Sequence, residues 1–411
     1  MQNYGIPRRR TATWAKPCRG IRAVSVDLLI CRCASLERNG RRAGTRCLWS
    51  RPSWCIYMKK ELVCAILTSL GACAAYAQSS LTLYGRVAAG LDYVTNVATP
   101  SGSKNLFRFA SNQYGASFLG LLGKEDLGGG TKIVFNLEDM FLQGTGQVIG
   151  DALWNRYAYV GVSNDKYGSL WAGRAMVLSD ETEWYLDPFV AQQLGVLNFS
   201  RYRGTGQSLN ALTYNSPDIH GLYFRVQNGF GNTAGNFKAS RTFSVSVRYA
   251  LGGFTGYGVY DERRDANGNF SGLYSNSREY MAGATYQLQA WKFYTGYQQL
   301  VSSGSDTIVD STNSVGATRA NQEWVGVSYQ VNPALQLQAA WYHTNVNHGG
   351  GTANLGAVGG QYNLSKRTFI YAEFGAMFNG ANASFPVETQ DSPPEQGHNQ
   401  QGIYVGIMHM F

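Results

Sequence analysis

Charged side chains that could steer or bind ions are concentrated around one long segment, residues 175–200, in which polar and apolar residues do not alternate. An acidic group facing a basic group across a narrow passage of low dielectric constant would set up a transverse field acting on permeating ions. Solvated loop charges are the simpler interpretation, and the sequence alone leaves both open. The acidic residues are Asp180, Glu181, Glu183 and Asp187, and the nearby arginines are Arg156, Arg174, Arg201 and Arg203.

Other chemistry finds little support in the sequence. The five histidines form neither a His-Glu-x-x-His motif nor a triad spacing. His343 and His348 could meet near a loop, but an accidental exposed pair is the better interpretation. The Gly-Thr-Gly sequences at 144–146 and 204–206 lack the following Gly and Lys that would hold a phosphate. We therefore expect no enzymatic activity, no metal site and no cofactor.

The charge and cysteine content of the chain change at residue 77. The part that must position the charged side chains of residues 156–203 therefore begins at residue 78. Residues 1–77 contain 14 Lys/Arg and 3 Asp/Glu, a net charge of +11, and the remaining residues contain 21 and 23, a net charge of −2. The overall charge of +9 therefore does not indicate a nucleic-acid partner. All seven cysteines precede residue 78, so no disulfide or Cys nucleophile is available beyond it.

Residues 58–77 have the pattern of a secretory signal peptide. Met58-Lys59-Lys60 is the basic start, an apolar run follows, and Ala75-Tyr76-Ala77 is an A-x-A cleavage motif. We expect cleavage between Ala77 and Gln78. The apolar run is shorter than the roughly 18–20 residues of a membrane-spanning helix, and a lipoprotein-type cleavage at Cys73 is a weaker alternative.

Residues 1–57 precede this signal, although signal peptides normally stand at the N-terminus. They are rich in Arg, Cys and Trp and lack sustained periodicity. Cys31 and Cys33 have no second pair at zinc spacing. We interpret this segment as a spurious extension from a wrongly chosen start, unstructured and outside the fold, with a genuine domain as the alternative.

From residue 78 onward the dominant pattern is alternation of apolar and polar side chains over about 8–12 residues, separated by turn residues. No later stretch approaches the roughly 18 apolar residues that a membrane-spanning helix needs. Sixteen alternating runs can be counted, beginning near Leu81, Tyr114, Ile133, Leu153, Ser169, Gln207, Gly221, Ser240, Phe254, Arg278, Trp291, Glu323, Leu335, Asn354, Thr368 and Gln401.

The last run ends at the C-terminal Phe411 and is apolar on one face, where only His409 interrupts Ile403, Val405, Ile407 and Phe411. Chain termini of soluble proteins usually fray into polar tails. An apolar terminal strand is explained if it pairs with the first strand and closes a ring. In lipid every backbone polar group must be satisfied internally, so a sheet can span a membrane only as a closed barrel.

Short turns alternate with longer polar loops along residues 78–411, which is typical of outer-membrane barrels with short periplasmic turns and long extracellular loops. The seven prolines of this region all fall in predicted turns or loops, as ladder pairing requires. A soluble β-sandwich would also alternate, but sixteen strands with one polar face fit an apolar belt around a polar lumen better. Interfacial aromatic girdles are predicted at Tyr84, Tyr93, Trp154, Trp291, Trp324, Tyr329 and Trp341.

Several short motifs are spread over this region. They are QSSLTLYG at 78–85, LGLLGKEDLGGG at 119–130, RYAYVGV at 156–162, Gly173-Arg174, YNSP at 214–217, NLSKRT at 363–368 and the terminal Phe411. Each is weak alone, but together they span residues 78–411, and in this order they resemble the motifs of the general, trimeric porins of Gram-negative proteobacteria.

The resemblance implies an all-β, 16-stranded antiparallel transmembrane barrel in the cell outer membrane, a homotrimer in contact with lipid. It implies a water-filled channel for passive diffusion of ions and small hydrophilic solutes, narrowed by an inward-folded third loop. Phe118 differs from the pattern of this family, because several such porins carry a basic residue at the same wall position. The ion preference is therefore left open by the sequence. A substrate-specific channel or an adhesin-like barrel is the alternative, and an outer-membrane enzyme a more distant one.

Two consequences can be tested. If the acidic residues face the passage, replacing Asp187 and Glu183 by their amides should shift ion selectivity toward anions without affecting folding. If Phe411 anchors the closing strand, its deletion should impair assembly.

Overall fold

The computed structural model describes residues 79–150, 152–201, 203, 206–303, 309, 312–388 and 392–411. The predicted spurious extension (1–57), the predicted signal peptide (58–77) and Gln78 lie outside the described residues.

Strands dominate the described part of the chain, and two helices lie in one long connection. The helices are α1 (Leu178–Leu186) and α2 (Leu197–Ser200). The strands are β1 (Ser80–Val97), β2 (Lys104–Ser111), β3 (Ser117–Gly128), β4 (Thr131–Leu142), β5 (Gln147–Val148), β6 (Tyr157–Asn164), β7 (Gly168–Met176), β8 (Gln207–Asn215), β9 (Leu222–Gly229), β10 (Thr242–Leu251), β11 (Phe254–Arg263), β12 (Arg278–Leu288), β13 (Trp291–Val301), β14 (Arg319–Gln330), β15 (Leu335–Val346), β16 (Gly351–Asn363), β17 (Thr368–Asn379) and β18 (Gln400–Met410).

These strands form one antiparallel sheet that closes on itself. Strands that follow each other in the chain pair, except that β2 and β3 both pair with β1 and that β6 pairs with β4 rather than with the short β5. β18 pairs with β1 from Met410 opposite Arg86 to Gly402 opposite Val94. The terminal residue extends this ladder, because Phe411 N–H donates to Gly85 O at 3.0 Å and Gly85 N–H donates to Phe411 O at 3.2 Å. The predicted ring closure by the last strand is confirmed.

The eighteen strands occupy sixteen positions around the ring. β2 and β3 both pair with β1, so they form a single interrupted wall strand, and β5 is a two-residue extension beside β4. The interruption, residues 112–116, contains Asn112 and Gly115 with φ of 64° and 109°. The predicted 16-stranded antiparallel barrel is confirmed.

Side chains alternate between an apolar outward face and a more polar inward face. On β18, Ile403, Val405 and Ile407 are 45–48% exposed, whereas the intervening Tyr404 is 0% exposed. Neighbouring residues differ in exposure in this way because successive side chains of a strand point to opposite sides of the sheet. Inward polar side chains include Arg86, Asp92, Asn136, Glu138, Gln227, Gln298, Gln322, Gln338 and Glu373.

Short turns gather at one end of the barrel and longer connections at the other. The β3–β4 turn uses Gly128, Gly129 and Gly130 at φ of 83°, 62° and 75°, a conformation with little steric cost only for glycine. The seven prolines between 78 and 411 all lie outside strands. No helix among the described residues is long and apolar enough to cross a membrane.

The residues of the predicted aromatic girdle divide between the outward and inward faces of the barrel. Trp291 and Trp341 are 44% and 48% exposed on the outward face, and Tyr329 packs against Trp291 with ring centroids 4.3 Å apart. The prediction was wrong for Tyr84 and Trp324, which point inward because of their position in the alternation. The Tyr84 hydroxyl donates to Asn136 and Glu138, and Trp324 is 2% exposed.

Candidate functional site

The connection between β7 and β8, here called the third long loop (residues 177–206), is partly helical. Asp180 and Glu181 lie in the first turn of α1, where acidic side chains interact favourably with the helix dipole. Asp187 caps the C-terminal end, and Pro188 follows it, which prevents the helix from continuing. The sequence therefore limits α1 to the acidic stretch.

The third long loop rests on glycines of the barrel wall. Leu186 lies against Gly283, where an added Cβ would be 2.8 Å from its methyl groups, and Pro188 lies against Gly326, where an added Cβ would be 2.5 Å from its ring. The indole Nε1–H of Trp324 donates to Leu186 O at 2.8 Å. Side chains larger than hydrogen at these wall positions would displace the loop.

Asp187 accepts hydrogen bonds both from the third long loop and from the barrel wall. Its carboxylate accepts hydrogen bonds from the Tyr342 hydroxyl at 2.5 Å and from the backbone N–H groups of Phe189 and Val196 at 2.8 and 3.0 Å. The side chain is buried, and burial raises its pKa to about 6. These contacts make Asp187 an anchor of the loop.

Glu183 belongs to a buried network that reaches Arg203. The amide of Gln298 donates to Glu183 at 2.5 Å and to Glu279 at 2.7 Å. Arg203, 0% exposed, pairs with Asp261 at 2.8 Å and Glu279 at 3.4 Å. Burial, with Glu279 and then Asp180 nearby, raises the pKa of Glu183 well above its usual range. Glu183 and Arg203 thus contribute to one hydrogen-bonded cluster between the loop and the wall.

The other two acidic residues of the loop lie close to arginines of the wall. Glu181 accepts hydrogen bonds from the Tyr157 hydroxyl and the Arg225 guanidinium. Asp180 is 4% exposed, and burial raises its pKa to about 7 although Arg156 opposes this shift. Of the four predicted acids, only Glu181 is more than slightly exposed.

A basic and aromatic cluster lies on the wall facing α1. Arg156 pairs with Glu138, and its guanidinium carbon is 4.8 Å from the Phe118 ring centroid and 5.1 Å from that of Trp184. The guanidinium carbon of Arg86 is 5.2 Å from the same Phe118 ring. Within the described part of the chain, no carboxylate forms an ion pair with Arg86. Arg86 was missed in the sequence, where a lone cation in a strand gives no signal.

A cavity of about 230 Å³ separates this cluster from the third long loop. It is lined by Arg86 and Arg156 on one side and by Asp180, Trp184 and Gln192 on the other. The Arg86 Nε–H donates to Ala116 O at 2.7 Å, which holds the side chain beside the cavity. The structure therefore places Arg156 and Asp180, two of the predicted site residues, around one cavity together with Arg86.

The remaining predicted arginines lie elsewhere. Arg174 occupies the register position opposite Ala158, on the outward face shared with the exposed Val160, and its guanidinium donates to Asn155 O at 2.9 Å. Arg201 lies 4.4 Å from the Phe385 ring centroid. Neither residue reaches the cavity lined by Arg86 and Arg156.

A second connection, between β17 and β18, packs against the third long loop. Phe385 meets Phe199 edge-to-face with centroids 5.4 Å apart, and the Asn198 amide donates to Val387 O at 2.9 Å. Glu388 accepts hydrogen bonds from Arg108 at 2.6 Å and from the Tyr404 hydroxyl at 2.8 Å. Burial, with Asp92 close by, raises the pKa of Glu388 to about 8. The two connections therefore support each other.

Metal ligands do not cluster in this arrangement. Among the described residues, no group of three or more His, Cys, Asp or Glu side chains could hold a metal ion.

A closed sixteen-stranded barrel with an apolar exterior, a polar interior and long connections at one end defines the class of outer-membrane channels. The sequence matches the family of Gram-negative porins over residues 63–382. The chain belongs to this family.

Relatives of known identity agree with this assignment. An outer membrane porin protein of Bordetella pertussis is 27% identical over 403 residues, which cover 86% of this chain and 100% of the relative. Outer membrane porin protein 32 of Delftia acidovorans is 28% identical over 380 residues, with the same coverage of 86% and 100%. The protein is therefore an outer-membrane porin channel.

Solved structures share the fold. The anion-selective porin from Comamonas acidovorans aligns with a TM-score of 0.68 and 22% identity, covering 81% of this chain and 100% of that one. OmpT of Vibrio cholerae in its trimer form aligns with a TM-score of 0.57 and 13% identity, covering 81% and 99%. At these identities the likeness supports the barrel architecture.

Proposed function

We propose that this porin is a passive diffusion channel for ions and small hydrophilic solutes. The observation that carries the proposal is the closed sheet whose outward side chains are apolar while its inward side chains are charged or amide-bearing. An apolar exterior suits contact with outer-membrane lipid, and a polar interior suits water. Passive diffusion through such a channel requires no chemical reaction by any residue.

The third long loop is the proposed constriction of this channel. Its support is the set of contacts that hold Leu186, Asp187 and Pro188 against inward-facing wall residues. A segment fixed across the lumen narrows the passage, and the pore-facing charges around it then decide which ions pass.

A moderate preference for anions follows from the charges at this narrow point. Asp180, Glu183 and Asp187 are buried and Glu181 is paired with Arg225, so the loop offers little exposed negative charge. Arg86 faces the cavity without a carboxylate partner in the described ranges, and Arg156 lies beside it. The solved porin from Comamonas acidovorans, described as anion-selective, is consistent with this preference.

The proposal also covers the oligomeric state and the route to the outer membrane. We propose a homotrimer, by analogy with the trimer form of the Vibrio cholerae protein, and a signal peptide at 58–77 that is removed before insertion. The segment 1–57 takes no part in the channel.

Single-channel recording in a planar bilayer tests the function. We expect stepwise ohmic conductance in potassium chloride and, in a salt gradient, a reversal potential on the anion-selective side. Conductance steps in groups of three support the trimer. Protein that is correctly folded by circular dichroism but does not conduct would contradict the diffusion channel.

A further inference from the structure

Three inward-facing residues form a row across neighbouring strands near the short-turn end of the barrel. Arg248 on β10 lies opposite Tyr223 on β9 and opposite Tyr257 on β11. Adjacent strands are about 4.8 Å apart, so the three side chains are near neighbours. The guanidinium carbon of Arg248 is 5.3 Å from the Tyr223 ring centroid, within the range of a cation–π contact.

Tyr185 of the third long loop extends this row into the lumen. Its ring is nearly parallel to that of Tyr257, with centroids 5.9 Å apart and an interplanar angle of 5°. The side chain is 57% exposed, although the next residue, Leu186, is 0% exposed against the wall. One ring is thus held in position by its stacking partner while much of its surface remains available.

The charge of Arg248 is only partly compensated. Its guanidinium is 3.1 Å from the Asp218 carboxylate, and the two side chains are 41% and 55% exposed. Exposed ion pairs of this kind contribute little stability. An anionic solute could therefore replace Asp218 as the partner of Arg248 at small cost.

We infer that Tyr185, Tyr223, Arg248 and Tyr257 form a weak binding site for planar aromatic anions, with aromatic monocarboxylates as the simplest class. The inference rests on the proposed channel function. The ring of the solute stacks on the exposed surface of Tyr185, and its carboxylate accepts hydrogen bonds from Arg248. Weak retention beyond the constriction favours such solutes without trapping them, because a channel site must also release what it binds.

The site is expected to bind benzoate more tightly than compounds that lack either its flat ring or its charge. Cyclohexanecarboxylate has the same charge and similar size as benzoate but lacks a flat ring, so it cannot stack. Benzyl alcohol has the ring but offers no charge to Arg248. An aromatic contact supplies roughly two- to tenfold in affinity.

The experiment uses the protein purified from outer membranes of an expressing Gram-negative host and measures the potassium chloride current while each compound is titrated. We expect benzoate to reduce the current at about two- to tenfold lower concentration than cyclohexanecarboxylate. In Tyr185→Ala this ratio should fall close to one, and in Tyr185→Phe it should persist. Tyr286→Ala, on the outward face with its side chain 48% exposed, is the matched control and should behave as the wild type.

The possible outcomes are distinct. A wild-type channel that conducts but does not distinguish benzoate from cyclohexanecarboxylate overturns the aromatic site and leaves the channel function intact. Benzyl alcohol acting as strongly as benzoate overturns the role of Arg248. Loss of the ratio in Tyr286→Ala as well would show a general effect of the mutations and overturn the assignment to Tyr185. Absence of conductance in the wild type overturns both the channel and this site.

Discussion

Arg86 lies directly opposite Phe118 across the β1–β3 ladder, and its guanidinium carbon is 5.2 Å from the centroid of the Phe118 ring. The resemblance to trimeric porins implies that a basic residue is often found at position 118. Here the cation is supplied from the neighbouring strand, and the aromatic ring holds it in place. The basic side of the narrow point is therefore retained with a different residue.

Arg86→Gln is expected to reduce the preference for anions. A unit charge acts on an ion about 6 Å away with roughly 1 kcal/mol at an effective dielectric constant of about 60, which corresponds to about a fivefold change in permeability ratio. Reversal potentials in a potassium chloride gradient measure this ratio. Arg174→Gln is the control, because Arg174 lies on the outward face. An unchanged reversal potential in Arg86→Gln would show that Arg86 does not act on the permeating ion.

Deletion of Phe411 is expected to impair barrel assembly. Its backbone makes two hydrogen bonds with Gly85, and its ring occupies the space where a Cβ on Gly85 would lie, 2.7 Å from the ring. Deletion removes the two hydrogen bonds and the side-chain contact from the β1–β18 strand pair that closes the barrel. The yield of folded barrel, measured by the heat-dependent shift in gel mobility, should fall, whereas Phe411→Tyr should assemble normally. Equal yields from the deletion and the wild type would refute the anchoring role.

The signal peptide interpretation predicts that the mature protein begins at Gln78. Ala75-Tyr76-Ala77 provides the small residues that signal peptidase requires. N-terminal sequencing of protein from the outer membrane should give Gln-Ser-Ser-Leu. Truncation of residues 1–57 should leave the yield unchanged, because the secretory signal starts at Met58. A mature protein that begins before residue 58 would contradict both expectations.

Much of the barrel could be predicted from the sequence because alternation is a local property. Runs predicted to begin at Gln207, Phe254, Arg278, Trp291, Leu335 and Thr368 begin at those residues in the structure. β2 was not predicted as a strand of its own: the second run was placed from Tyr114. The inward excursion at 112–116 breaks the alternation there and separates β2 from β3.

The site could be predicted only in outline. The acidic composition of the third long loop and the position of Arg156 were evident, but not the burial of Glu183 and Asp187. That burial depends on glycines at positions 283 and 326 of distant strands, which become neighbours of the loop only when the ring closes. Arg86 and Arg156 both lie against the Phe118 ring, although β1 and β6 are separated by two wall strands, and this proximity cannot be predicted from alternation alone.

Replacement of Asp187 and Glu183 by amides should therefore act mainly on loop anchoring, whereas the sequence predicted a shift in selectivity without an effect on folding. Asp187→Asn keeps the shape but replaces one carboxylate oxygen by a donor, so it cannot accept from Tyr342, Phe189 and Val196 together. Faster hydrogen exchange across residues 178–199, with the barrel still intact by circular dichroism, is the expected result. Protection equal to that of the wild type would refute the anchoring role.

The anchoring of the third long loop should depend on pH. Burial raises the pKa of Asp180 to about 7 from an ordinary value of 3.8. A buried acid with a raised pKa favours the anchored loop when protonated, so the contribution of Asp180 is complete below about pH 4 and is lost as the pH rises through about 7. Hydrogen exchange in the loop, corrected for the intrinsic rate, should be slower at pH 5 than at pH 8. Asp180→Asn should flatten the part of this dependence near pH 7, and a wild-type loop equally protected at both values would rule the mechanism out.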